Sequence, residues 1–167
     1  MPSPLRVTLR RMQEDDIPML LAMESDPEVM RYSTGVKPAD EARRQELLAW
    51  LREPQTRLGH WAITLDGASV GWISLVSLAG TDSIQLAYRL QRSAWGRGYA
   101  SDAARQLCQY AWRELELDEL VAVVWPDNQA SVRVLEKLGF RFRARERHYG
   151  RDTLVYSLAR PSAQSSL

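Results

Sequence analysis

Apolar and polar residues change rhythm along the chain, and each rhythm predicts an element. Alternation over 5–12, LRVTLRRM, reads as a first strand. DDIPMLLAMES follows, with Asp15 or Asp16 placed to cap a helix and Pro18 tolerated in its first turn. A second helix runs over about 38–53, where Leu47, Leu48 and Leu51 keep helical spacing and Pro54 ends it. HWAITLDGASVGWISLVSL reads as a hairpin turned by Asp66-Gly67. The alternation is cleanest in SIQLAYRL. There Ile84, Leu86, Tyr88 and Leu90 take one face, and Ser83, Gln85, Ala87 and Arg89 the other.

Ala100, Ala103, Ala104, Leu107, Ala111 and Leu115 then mark an amphipathic helix. LVAVVW, 120–125, is an unbroken apolar run, as in a strand buried on both faces. DNQASVRVLEKLG predicts a last helix, opening at Asp127 or Asn128, with Gly139 suited to the left-handed position after its end. FRFRARERHYGRDTLVYSL closes as a hairpin turning near 149–152. The order βααβββαβαββ predicts a single mixed α/β domain over 1–160, with a polar tail at 161–167.

Composition narrows the function classes. A net charge of +1 over 167 residues gives no sign of a nucleic-acid binder. The single cysteine, Cys108, has no internal disulfide partner, and no charged-then-apolar leader opens the chain, so a reducing, cytoplasmic setting is expected. No apolar run approaches the roughly 20 residues of a membrane span. No His/Cys/Asp grouping has metal spacing, and no metal is expected. His60, His148 and Cys108 read as structural, Trp61 and Trp72 as core, and Trp50 as a candidate for the acceptor side. Arg141, Arg143, Arg145 and Arg147 alternate on what should be one face of the sixth strand. A solvated edge explains them, as does attraction of an acidic substrate or partner.

RSAWGRGYASDAA, 92–104, places two glycines between a strand and a helix. A helix start leaves N–H groups unpaired and carries partial positive charge, so it suits a phosphate. Gly96 and Gly98 remove side chains that would hold an anion away, Ala100 keeps the approach open, and Arg92 and Arg97 add charge. The segment reads as a diphosphate cradle, or more plainly as a tight turn. It fits neither G-x-x-x-x-G-K-[ST] nor G-x-G-x-x-G.

WGRGYA resembles the pyrophosphate motif [Q/R]-x-x-G-x-[G/A] of the GNAT superfamily of acyl-CoA-dependent N-acyltransferases, and WPDNQASVRVLEKLGF resembles that family's N-x-x-S, helix, KLGF block. Trp95 departs from the usual first position and, with Ser131, looks like the Rim-type branch that acetylates ribosomal-protein N-termini. The resemblance implies a mostly antiparallel sheet of about seven strands, splayed between the fourth and fifth. It implies acetyl-CoA as co-substrate, with the pantetheine arm in the splay near Tyr88, Arg89 and Leu90. Its diphosphate would lie on the N–H groups of Gly96, Arg97, Gly98, Tyr99, Ala100 and Ser101, and Asn128 would bind the arm from the far side.

The same resemblance implies direct attack of a primary amine on the thioester. The tyrosine many relatives use as acid falls at Leu135; the Rim-type branch instead has a serine three residues after the asparagine, here Ser131, which either faces the departing sulfur or caps the first turn of its helix. Positions that hold a general base in relatives are Val123 and Gln85 here. Glu24, Asp26 and Glu28 remain as carboxylates near the first helices, with no base assigned. The implied acceptor is a protein or peptide N-terminus, or else a small amine such as a polyamine, amino acid or aminoglycoside. A non-catalytic acyl-CoA-binding regulator and a plain phosphate binder are the rival classes, and a homodimer is common among similar proteins.

Overall fold

The elements form in the expected order, in a computed structural model that describes residues 7–162. They are β1 (Thr8–Arg11), α1 (Ile17–Glu24), α2 (Glu41–Leu51), β2 (Gly59–Leu65), β3 (Ala68–Ser77), β4 (Ile84–Leu90), α3 (Tyr99–Arg113), β5 (Glu119–Val124), α4 (Gln129–Lys137), β6 (Arg141–His148) and β7 (Arg151–Ala159). The expected start of the first strand at Leu5, and residues 163–167 of the expected tail, lie outside the described residues.

Local chemistry sets the boundaries. The second helix starts later than 38 because Asp40 caps it, accepting the Arg43 N–H at 2.9 Å. Asp16 does not cap α1 with its side chain. Its carboxylate instead takes Arg10 at 2.8 and 2.9 Å and the Gln13 N–H at 2.9 Å. Asp66 and Gly67 both turn with positive φ, 49° and 85°, as a two-residue hairpin loop needs.

The sheet order is β1-β2-β3-β4-β5-β7-β6. Every neighbouring pair is antiparallel except β4 and β5, which run parallel and share a single paired position, Gln85 with Val121. Beyond that point the two strands part, which is the expected splay.

Two helical layers sandwich the sheet. On one face α3 lays Ala103, Ala104, Leu107 and Ala111 against Ile63, Ile73, Leu86 and Leu120, with Leu135 of α4 in the same core. On the other, Met19, Leu20 and Met23 of α1 and Leu47 and Leu48 of α2 pack on Ala62. Alternation along β4 therefore decides the site: Tyr88 pairs with Ile73 and shares the α3/α4 face, while Arg89 pairs with Trp72 and shares the α1/α2 face.

The arginine run of β6 does not keep one face. A bulge falls between Phe142 and Ala144, so Phe142 pairs with Tyr156 while Ala144 pairs with Val155. The extra residue flips the alternation, leaving Arg141 on the face opposite Arg145 and Arg147. All four are exposed, Arg143 pairs with Glu119 at 2.8 Å, and Arg147 donates to the Gly150 carbonyl at 2.8 Å. The solvated-edge reading accounts for them.

Candidate active site

At the start of α3, Gly96 and Gly98 both have positive φ, 73° and 82°, and Gly98 is the residue from which the helix begins. No side chain caps this helix, whereas Asp40 caps α2 and Asn128 caps α4. The first-turn N–H groups are thus left to an external acceptor. A side chain built at Gly96 would meet nothing within 4 Å, so the space over the loop is open. That space belongs to a cavity of about 540 Å³ whose lining includes the cations Arg31, Arg133 and Lys137 as well as Glu28. The segment forms an uncapped helix start that faces an open cavity.

The gap between β4 and β5 ends at a hydroxyl cluster. Asn128 accepts the Ser131 N–H through Oδ1 at 3.2 Å, and donates through Nδ2 to Ser131 Oγ at 3.1 Å. The Tyr88 hydroxyl reaches the same Oγ at 3.2 Å. Tyr88 and Ser131 have two hydroxyl hydrogens between them, and their mutual bond uses one. The other is free to be donated into the gap. Burial pushes the Tyr88 phenol above its ordinary value, so it stays protonated.

A second cavity, about 270 Å³, opens from the gap toward α1 and the last hairpin. Arg89 enters it from β4, donates to Ser33 Oγ at 2.5 Å, and sits 5.1 Å from the Trp72 ring centroid. Gln85 is buried and donates to the Tyr149 hydroxyl at 2.7 Å, and Trp125 lies beside Tyr149 with centroids 5.9 Å apart. His60 stands behind Trp72, edge-on to both Trp72 and Trp50. Burial, with Arg11 and Arg89 nearby, pulls its pKa down to about 4, so it is neutral at pH 7.

The structure brings Tyr88, Arg89, Leu90, Gly96, Gly98, Tyr99, Ala100, Ser101, Asn128 and Ser131 to the lining of the larger cavity; Arg97 is not part of that lining. Expectations change at Trp72, Trp50 and Arg92. Trp72 is only partly buried and lines the acceptor-side cavity, and Trp50 stands behind it rather than in the lining. Arg92 is bound to Asp26 at 2.7 Å, which commits both. Glu24 is buried against Arg43, at 2.7 and 2.8 Å. Cys108 is a buried thiol pushed up to about 12, no nucleophile.

Sequence reasoning missed Ser33 and Tyr149. Both lie in segments without periodicity, where nothing but the fold reveals which side chain reaches the gap. Among the described residues, no His/Cys/Asp/Glu group could hold a metal, and no helix is long and apolar enough to cross a membrane.

The family model for the acetyltransferase (GNAT) domain matches residues 6–141. The chain is 30% identical over 159 residues to an uncharacterized protein, YkkB, of Bacillus subtilis (strain 168), covering 90% of this chain and 91% of that one. It is 29% identical over 135 residues to the putative ribosomal N-acetyltransferase YdaF of the same organism, covering 76% and 74%. Among solved structures, a spermidine N-acetyltransferase from Vibrio cholerae, in complex with CoA and spermine, superposes with a TM-score of 0.77 at 17% identity, covering 92% of this chain and 95% of that one. The expected fold is borne out.

Proposed function

Because the chain belongs to the GNAT acetyltransferase family and is an N-acetyltransferase, we propose that it moves an acetyl group from acetyl-CoA to a primary amine by direct attack across the β4/β5 gap. The observation that carries this reading is the hydroxyl cluster at the gap, next to an uncapped helix start. Residues 96–101 present backbone N–H groups suited to the diphosphate, and Arg31, Arg133 and Lys137 supply charge around it. The thioester supplies an activated acetyl group: its carbonyl carbon bonds the amine nitrogen, the C–S bond breaks, and the nitrogen's proton is balanced by one gained at sulfur.

Ser131 faces that sulfur. Asn128 orients it by binding both its N–H and its Oγ, and Tyr88 accepts or donates at the same oxygen. The free hydroxyl hydrogen of the pair is thereby aimed at the charge that develops on the leaving group. Leu135 is buried beside them and keeps this end of the gap apolar, which strengthens the hydrogen bond. Among the described residues no carboxylate lines the acceptor-side cavity, so the amine's proton leaves to solvent past the Tyr149 hydroxyl, which Gln85 holds by a hydrogen bond, rather than to a resident acid group.

Trp95 and Ser131 support the Rim-type branch, in which a protein or peptide N-terminus is the acceptor. The acceptor-side volume of about 270 Å³ equally suits a small amine or the first residue of a chain.

Ser131→Ala tests the assignment. Turnover should fall about 100-fold, in the range expected for loss of one acid or donor group. The affinity for acetyl-CoA, measured by calorimetry, should stay near wild type. Unchanged turnover would remove Ser131 from the mechanism.

A further inference from the structure

The acceptor-side cavity carries a charge pattern that selects among amines. Its lining holds one ionic side chain, Arg89, and no Asp or Glu among the described residues. Arg89 touches Ser33 and the Trp72 face, and neither neutralises it. Glu24 acts on it at longer range, but both Glu24 oxygens are taken by Arg43. A guanidinium keeps its proton even when burial weakens its hold. A half-buried cation without an ion-pair partner is costly until an anion completes it.

Trp125 adds an independent observation. It also lines this cavity, and its buried Nε1–H has no acceptor. The Arg151 guanidinium lies over its ring, 4.7 Å from the centroid, as Arg89 lies over Trp72. The unmatched groups are therefore both donors, and both tryptophan faces already carry a cation. A polyamine would bring several ammonium groups to a chamber whose lining offers them an arginine and, among the described residues, no carboxylate. A carboxylate meets a fork of N–H donors built for it.

We propose that the acceptor is a primary amine carrying a carboxylate on the same small unit, held by Arg89 while its amine faces the gap. This rests on the acetyl-transfer reading above and names its substrate class. Free amino acids carry this chemistry, and so does a peptide whose first residue is acidic.

The test follows thiol release from acetyl-CoA with amino acids each paired with its carboxamide, with Asp-initiated and Asn-initiated tripeptides, and with spermidine. Wild type and Arg89→Gln are compared. At least one carboxylate amine should exceed its uncharged counterpart by about tenfold or more in kcat/KM. Arg89→Gln should bring that ratio to within about threefold of unity, read as a ratio within the variant so that any change in acetyl-CoA binding cancels. Whether free amino acids or the Asp-initiated peptide show the preference identifies the source.

Carboxamides or spermidine performing as well in wild type overturn the proposal. So do a preference that survives Arg89→Gln and absence of turnover on every carboxylate amine. Failure of acetyl-CoA to bind the wild-type protein would instead overturn the acetyl-transfer reading itself.

Discussion

Single residues in this site are defined by what surrounds them rather than by their type. His60 has the chemistry of a base, yet its place between Trp50 and Trp72, with Arg11 and Arg89 nearby, holds its pKa near 4. In the unfolded chain an ordinary histidine titrates near 6.5. As pH falls from about 6.5 to 4, the unfolded state therefore gains the proton first and stability is lost, by about 3 kcal/mol at full extent. His60→Phe keeps the aromatic stack and removes the proton site. Denaturant melts at pH 7.5 and pH 4.5 should show the variant gaining on wild type at the lower pH; an unchanged difference would mean that His60 is not held neutral. The sequence already reads it as structural, but the two tryptophans that pack on it, Trp50 and Trp72, lie on other elements.

At the scale of elements, the end of β4 is positioned by a glycine on the neighbouring strand. A β-carbon at Gly71 would lie 2.2 Å from the Arg89 carbonyl oxygen and 2.9 Å from Leu90 Cα. Those are backbone atoms that cannot swing aside, so β3 and β4 must separate where β4 lines both cavities. Gly71→Ala should cost about 2–3 kcal/mol by denaturant midpoint and weaken acetyl-CoA binding as well. A midpoint within error of wild type would show that β4 has slack there.

The alternation of SIQLAYRL already separated Tyr88 from Arg89, because a buried strand has no freedom to rotate its side chains between faces. The β6 bulge had no such signature. FRFRARERH contains neither glycine nor proline to announce an extra residue, so its arginines look like one stripe and stand on two faces. Asn128 and Ser131 were legible as a spaced pair, but their mutual use of Oδ1, Nδ2 and Oγ is a property of the α4 start.

Across the whole molecule, function rests on one departure from regular pairing. Five of the six neighbouring strand pairs are antiparallel, but β4 and β5 run parallel and keep a single paired position, opening a passage between the two helical layers. The larger cavity lies on the α3/α4 side with the helix start and its cations, the smaller toward α1 and the last hairpin, and Tyr88, Arg89, Asn128 and Ser131 border both. The order of elements and the glycine segment were legible because each is local. The acceptor chamber was not, since loops after α1, strands β3 to β5 and the β6–β7 turn meet there only on folding.

The central claim is that the uncapped start of α3 and the adjoining splay bind acetyl-CoA as one site. Calorimetric titration of wild type and Gly98→Glu with acetyl-CoA, and of wild type with ADP, tests it most directly. Acetyl-CoA should bind wild type at least about tenfold more tightly than ADP, since ADP lacks the arm that fills the splay. Gly98→Glu should weaken acetyl-CoA by about tenfold or more, through strain at φ 82° and a negative charge at the helix start. Equal affinities for ADP and acetyl-CoA, or full acetyl-CoA affinity in Gly98→Glu, would contradict the account.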